Sequence, residues 1–359
     1  MSAHLSPGRA LGLWALLLAA SGLLAYALTL ARFPAALLLG PMLAAIAFGV
    51  RGAGLSLPKA PFQAAQALIG CLVAHAVTAE ITGTLLDDGL IILLVVLVTV
   101  AAGAVVGVVL TRLRVLPGTT AAWGSSPGGA AAMVAMAEEY GSDPRLVAFM
   151  QYVRVAAVVL SASLVARLLT DADMPAGAGQ AAPQDVSALS ALATLGVAAL
   201  GAGVALALRL PAGALVGPML LGSALHATGV ATISLPAWLL DGAYAVIGWY
   251  VGLRFTRETL RETLHAFPGI AAATLAVIVL CAAWAFGLTR ILPIDFLTAF
   301  LATSPGGLDS VAIIAVGSKA DVSFVLAVQT LRLFVVLITG PVLARWIARA
   351  APPEPTPRS

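Results

Sequence analysis

Apolar residues run through this chain in long blocks separated by short polar or Pro/Gly-rich stretches. The blocks fall at roughly 10–30, 34–50, 60–78, 88–111, 118–140 and 144–169, then at roughly 188–208, 211–228, 237–255, 266–289, 295–318 and 322–348. Leu, Ala, Val and Ile follow one another without the strict alternation of a half-buried strand. A helix crossing a bilayer needs about 20 mostly apolar residues. The water-free interior leaves only helices or a closed barrel as spanning structures. The pattern therefore predicts an all-α, polytopic membrane protein of about 10–12 transmembrane helices.

Composition narrows the classes. Of 359 residues, 61% are hydrophobic and only 10% charged, with 16 acids and 19 bases. A soluble domain carries about 25% charged residues. A wetted surface for a soluble enzyme is missing, which also excludes a disordered regulator and a secreted disulfide scaffold. The net charge of +3 is spread through loops, so no nucleic-acid surface is expected. Cys71 and Cys281 lie inside apolar runs, and His4, His75, His226 and His265 are far apart in sequence. No zinc spacing, HxH or HExxH pair arises, so no metal and no cofactor is expected.

The two sets of blocks match each other. PAALLLGPML from Pro34 resembles PAGALVGPML from Pro211, and LSLPKAPFQAAQALIG from Leu55 resembles ISLPAWLLDGAYAVIG from Ile233. SSPGG from Ser125 resembles TSPGG from Thr303, and Gln151 and Arg154 correspond to Gln329 and Arg332. The offset stays at 177 or 178 residues throughout, the signature of an internal duplication. The expected organisation is a membrane repeat over 10–169, a linker over 170–187, a second repeat over 188–348 and a disordered tail over 349–359. Arg9 before an apolar run resembles a signal peptide. Residues 10–34 align with 187–211, however, so a retained first helix is expected. Six spans per copy would set both copies the same way up, and one re-entrant segment per copy would invert the second. Lys and Arg in the loops barely separate the two arrangements. In the first copy, Arg9, Arg51, Lys59, Arg112, Arg114 and Arg167 oppose Arg32 and Arg145, which favours a cytoplasmic N-terminus.

The Ser-Pro-Gly-Gly blocks carry the most chemistry. Ser126 suits a helix N-cap and Pro127 a first helical position. Gly128 and Gly129 allow close approach of another backbone or a ligand. Ser304, Pro305, Gly306 and Gly307 repeat the arrangement. The expectation is a discontinuous helix in each copy, with a half-helix starting at the serine. Its free N–H groups would meet a solute at the repeat interface. A proline kink with glycines for tight packing is the alternative. Gln151 and Arg154 share a helix face, as do Gln329 and Arg332. A charge inside an apolar helix is costly and marks either function or a structural grip on carbonyls freed by the break. Asp309 lies one turn beyond the second break, where the first copy has Ala131, and either pairs with an arginine or takes a proton or cation. Glu138 and Glu139, before Gly141, read as solvated, and Asp241 as a residue near a helix start. His75 reads as a helix-contact histidine, although folding could join it to His226. Gly40-Pro41-Met42 and Gly217-Pro218-Met219 read as packing kinks, and residues 254–265 as a charged amphipathic loop on the membrane surface.

The duplicated block with its GPM and SPGG sequences resembles the AbrB membrane-protein family over about residues 10–348. Its members carry labels such as ammonia monooxygenase or transcriptional regulator, and the resemblance brings no established catalytic residues. A copper or iron oxygenase needs clustered His, Cys or carboxylate ligands, and a DNA-binding regulator needs a basic soluble module; neither is legible here. The expected function is a secondary transporter of a small solute, with an anion compatible with the buried positive charge, in the inner or plasma membrane. Ser126, Gly128, Gly129, Gln151, Arg154, Ser304, Gly306, Gly307, Asp309, Gln329 and Arg332 would form the site. A membrane-embedded sensor acting indirectly on gene expression is the first alternative and a monooxygenase-like enzyme the second. The expected partners are the lipid bilayer and the solute with a coupling ion, without nucleic acid. Homo-oligomerisation is compatible with the sequence.

Overall fold

A computed structural model describes residues 7–31, 36–75, 77–113, 115–116, 118–169, 186–210, 212–307, 311, 314–315, 318 and 320–349. Among these residues every regular element is helical. In chain order they are α1 (Pro7–Leu30), α2 (Ala36–Val50), α3 (Lys59–His75), α4 (Ala79–Asp87), α5 (Gly89–Arg112), α6 (Gly118–Ser125), α7 (Ala130–Glu139) and α8 (Pro144–Leu169). Then follow α9 (Ala188–Ala207), α10 (Gly213–Ala227), α11 (Ala237–Gly252), α12 (Arg257–Ile291), α13 (Phe296–Thr303) and α14 (Val322–Arg349). The protein is a helical, multi-pass membrane protein. Among the described residues, six segments are long and apolar enough to cross a bilayer: Gly8–Leu30, Gly89–Arg112, Pro144–Ala166, Ala188–Ala207, Arg257–Ile291 and Val322–Arg349. The apolar helices α2 and α10 are shorter, at 15 residues each. Leu16, Leu18 and Leu23 on α1 and Leu189, Leu192 and Leu200 on α9 are exposed, which suits helices facing lipid chains.

Close helix pairs fall into two groups. In one, α1 packs on α2, α2 on α11, α11 on α3, α3 on α10 and α10 on α9. Small residues make these approaches tight, because in lipid the helices associate through packing rather than water exclusion. A Cβ on Gly217 would collide with the Gly201 carbonyl, and one on Gly70 with the Leu215 carbonyl. One on Gly252 would lie 2.5 Å from the Met42 carbonyl oxygen. In the other group, α5 packs on α6, α12 and α14, α6 and α7 on α8, and α13 on α12 and α14. Contacts between the groups are sparser and run through α3 with α7, α8 with α11, and α4 with α10.

Hydrogen bonds set the direction of each helix. His75 Nδ1 lies 2.5 Å from the Ile233 carbonyl, and the Ile233 N–H donates to His226 Nδ1 at 3.1 Å. The C-terminal ends of α3 and α10 therefore lie together. At the other end Phe62 stacks on Tyr250 with ring centroids 3.8 Å apart, joining the start of α3 to the finish of α11. Arg257 Nε donates to the Val50 carbonyl, which puts the end of α2 and the start of α12 there too. The Asp143 N–H donates to Thr120 Oγ1, so the chain leaves the α6–α7 hairpin where it entered. The same pattern recurs in the second half, where the Asp321 N–H donates to Thr298 Oγ1. The first hairpin opens at the end holding Arg145 and Arg254, which are joined by an Arg145-to-Arg254 carbonyl bond.

This geometry changes three sequence expectations. Arg145, set opposite Arg51 and Lys59, lies at their end of the bundle, and α8 carries Arg167 toward the other. The hairpin causes the exchange by returning the chain to its starting end. Residues 257–265 are the first turns of the 35-residue α12, with Thr256 Oγ1 capping the Thr259 N–H, and not a surface loop. Finally, Glu138 is paired rather than solvated: Arg254 Nη1 lies 2.6 Å from Glu138 Oε2, and Tyr250 donates its hydroxyl to Glu138 Oε1 at 2.9 Å. The linker at 170–185 and the tail from 350 lie outside the described residues.

Candidate functional site

The first break separates α6 from α7 at Ser126-Pro127-Gly128-Gly129. Ser126 closes the earlier helix: its N–H and its hydroxyl both donate to the Ala122 carbonyl, at 3.1 and 2.7 Å. It does not cap α7, which begins at Ala130 with Gly129 in the cap position and no side-chain bond. Proline explains the correction, because the residue before it is pushed out of helical geometry. Ser126 thus ends one helix, and Pro127 and Gly128 separate it from the next. Ser304 behaves in the same way, donating its N–H to the Phe300 carbonyl and its hydroxyl to that of Leu301.

A helix that stops inside an apolar environment leaves carbonyl oxygens without partners. Gln151 and Arg154, both buried on α8, supply them. Gln151 Nε2 donates to the carbonyls of Trp123, Gly124 and Ser126 at 2.8, 3.3 and 3.2 Å. Arg154 donates to the carbonyls of Ser126 at 2.7 Å and Gly128 at 3.1 Å, and to Gln151 Oε1 at 2.5 Å. The second half repeats this bond for bond. Gln329 donates to Leu301, Ala302 and Ser304, and Arg332 to Ser304, Gly306 and Gln329 Oε1. The planar guanidinium fork suits this task because it addresses two carbonyls and an amide at once.

Two properties exceed a structural grip. Arg154 and Arg332 are 2% and 3% exposed, yet the two salt bridges among the described residues involve neither. Among the described residues, the Nε–H of each guanidinium also meets no hydrogen-bond partner. Arg154 lines a pocket of about 10 Å³ with Gly124, Ser125, Met150 and Thr274, which is room for one water-sized occupant. Each break also touches the Gln/Arg helix of the opposite half. A Cβ on Gly129 would lie 3.5 Å from Leu333 Cδ1, and one on Gly306 3.0 Å from Val158 Cγ1.

The structure thus gathers Ser126, Gly128, Gln151 and Arg154 around one break and Ser304, Gly306, Gln329 and Arg332 around the other. Gly129 forms the first helix start. Gly307 accepts the Val311 N–H at 3.0 Å, as Gly129 accepts that of Met133 at 2.9 Å. Asp309 lies outside the described residues. Sequence reasoning missed the link from Glu138 to Tyr250 and Arg254, whose partners are more than a hundred residues apart and follow no local spacing. His75 and His226 do meet, with ring centroids 5.3 Å apart. Among the described residues no three His, Cys, Asp or Glu side chains gather as a metal set.

Comparison with known proteins sets this arrangement in a family. The profile described as "Transition state regulatory protein AbrB" matches residues 37–348. The chain is 48% identical over 339 residues to "Putative regulator AbrB" of Escherichia coli K12, covering 94% of this chain and 97% of the relative. It is 28% identical over 290 residues to "Uncharacterized protein YhjN" of Bacillus subtilis 168, covering 77% of this chain and 76% of that protein. The profile match over most of the chain and the 48% identity to the E. coli protein lead to one conclusion: the chain belongs to the AbrB family.

Proposed function

We propose that this protein is a secondary transporter of a small anionic solute. Two homologous five-span units of opposite orientation would each carry a re-entrant hairpin, α6–α7 from one face and α13 with the residues after it from the other. The solute would bind between the hairpin tips at the unit interface. Paired elements of this kind hold substrates near the midplane in many carriers. The observation that carries the reading is the pair of buried guanidinium groups, Arg154 and Arg332, each gripping a break and each lacking a carboxylate partner among the described residues. Burying a charge costs several kcal/mol unless it is paired, so an anion entering between the tips would be attracted to both guanidinium groups. The open N–H groups at the start of α7 add the positive end of a helix dipole.

The same reading orients the protein. Arg51, Lys59, Arg112, Arg145, Arg209 and Arg254 fall at one end of the bundle, whereas Arg167 and Arg290 fall at the other. Positive residues favour the cytoplasmic side, so the arginine-rich end is assigned to the cytoplasm.

Purified protein in proteoliposomes tests the function, with uptake of labelled small carboxylates, phosphate, sulfate and halide compared with neutral and cationic solutes. Anion flux in the wild type and its loss in Gly129→Leu, where a side chain has space beside Leu333, are expected. Flux of cations alone, or full anion flux in the variant, would overturn the site. The name of the E. coli relative, Putative regulator AbrB, is weakly compatible with a second reading, a membrane-embedded sensor. Saturable anion binding without flux would select it.

A further inference from the structure

The contact between Glu138, Tyr250 and Arg254 joins the two helix groups at the arginine-rich end. Glu138 ends α7, the returning arm of the first hairpin. Tyr250 and Arg254 belong to α11 and the turn after it, in the other group. Arg254 Nη1 lies 2.6 Å from Glu138 Oε2, and Arg254 Nη2 donates to the Tyr250 hydroxyl at 2.6 Å. The guanidinium carbon also sits 4.0 Å above the Tyr250 ring, and that ring stacks on Phe62 of α3. Lys59, at the start of α3, adds a second positive charge facing Glu138. One carboxylate therefore ties the returning arm of the hairpin to α11 and, through the Tyr250–Phe62 stack, to α3, across a boundary of sparse packing where Arg145 and Arg257 also donate to the Arg254 and Val50 carbonyls.

The cluster joins residues of both halves, and its three positions have apolar counterparts in the sequence. At the 178-residue offset, Glu138 corresponds to Val316, Tyr250 to Leu72 and Arg254 to Ala76. The breaks and their Gln/Arg grips are repeated, whereas this polar tie is not. A one-sided tie across a sparse boundary suits a device needed at one face.

We infer that Glu138, Tyr250 and Arg254 form a polar clasp that closes the arginine-rich face of the site by holding the α6–α7 hairpin against α3 and α11. The inference rests on the transporter reading for what the clasp encloses. When the clasp opens, α7 separates from the frame and its inner end at Gly129 becomes reachable from that face. The equivalent positions, Val316, Leu72 and Ala76, carry no charged or hydroxyl group, so the two faces would differ at this tie.

Thiol accessibility tests this without any flux. Gly129→Cys is placed in a Cys71→Ala, Cys281→Ala background and reconstituted in lipid nanodiscs, where both faces meet the reagent. Its labelling rate with a membrane-impermeant maleimide is then measured. Glu138→Gln and Arg254→Gln should each raise the rate at least tenfold, and the exchange Glu138→Arg with Arg254→Glu should return it to within about threefold of the reference. Monodispersity on size exclusion checks the fold of each variant, and an aggregating Gln variant is replaced by Tyr250→Phe, which should raise the rate less. Equal rates in all variants, or an exchanged pair as reactive as the single variants, would overturn the clasp. Altered labelling with no anion flux in the liposome assay would retain the clasp and remove the transport reading. Flux with unaltered labelling would do the reverse.

Discussion

Arg154 donates a 2.7 Å hydrogen bond to the carbonyl of Ser126, 28 residues earlier, and Arg332 makes the matching bond to Ser304 at 2.6 Å. Each arginine therefore completes the helix termination that the following proline forces. The side chain and the break depend on one another, because the carbonyls would otherwise face an apolar interior.

Loss of either arginine should destabilise the fold as well as impair function. Arg154→Ala removes the partner of the Gly128 carbonyl and of Gln151 Oε1, at about 1–3 kcal/mol for each group left unpaired, while the Ser126 carbonyl loses its shortest bond and keeps those from Gln151 and the Gly128 N–H. Arg154→Lys should recover only part, because an ammonium lacks the planar fork. Thermal unfolding in detergent should rank the proteins wild type, Lys, Ala. An Ala variant as stable as the wild type would show that the grip contributes nothing.

Helix crossings at glycine should tolerate no methyl group. Gly217→Ala drives a Cβ into the Gly201 carbonyl, and overpacking of this kind costs about 1–3 kcal/mol. Gly203→Ala, two residues along the same partner helix, meets nothing within 4 Å and should leave the melting temperature unchanged or raised. Equal behaviour of the two variants would contradict the packing described here.

The bonds at the hairpin mouths should be unequal. Thr298 Oγ1 accepts the Asp321 N–H at 2.9 Å and donates to Asp295 Oδ2 at 2.5 Å, whereas Thr120 Oγ1 accepts the Asp143 N–H at 3.3 Å. Thr298→Val should therefore cost more than Thr120→Val, on the order of 1–3 kcal/mol. Hydrogen exchange at the Asp321 amide should quicken in the former variant.

Acid should weaken the Asp143 and Arg145 pair in the loop before α8. Burial pushes the Asp143 carboxyl up, but the hydrogen bonds and charge of Arg145, with the backbone N–H groups of Arg145 and Leu146, outweigh it and hold the group below its ordinary value. A carboxyl with a lowered folded-state value adds stability above its unfolded value. That contribution is lost as pH falls through the folded value. Between neutral pH and about pH 5 the pair should be fully present, with its loss beginning near pH 4. Asp143→Asn should flatten this part of the stability profile measured by thermal unfolding. An identical acid slope in the variant would exclude the pair as its source.

Much of the membrane architecture was legible because its causes are local. Long blocks without charge predict helices wherever they occur, and the block at 144–169 became α8 with the same bounds. The proximity of Gln151 and Arg154 follows from helical spacing. What they touch does not, since the Trp123 and Ser126 carbonyls are 28 and 25 residues earlier. The role of the serines is not legible in this way, because a Ser-Pro pair is compatible with beginning a helix or ending one, and only the path of the backbone decides.

The sequence by itself determined a helical membrane protein and pointed to a doubled set of blocks and two breaks flanked by buried charge, because composition, period and internal similarity are written along the chain. The tertiary structure decided that the first hairpin returns to the end it came from, that the arginines hold carbonyls, and that Glu138 pairs with Tyr250 and Arg254. Those outcomes depend on which distant groups a folded backbone brings within about 3 Å, where a hydrogen bond forms, and no periodicity encodes that distance.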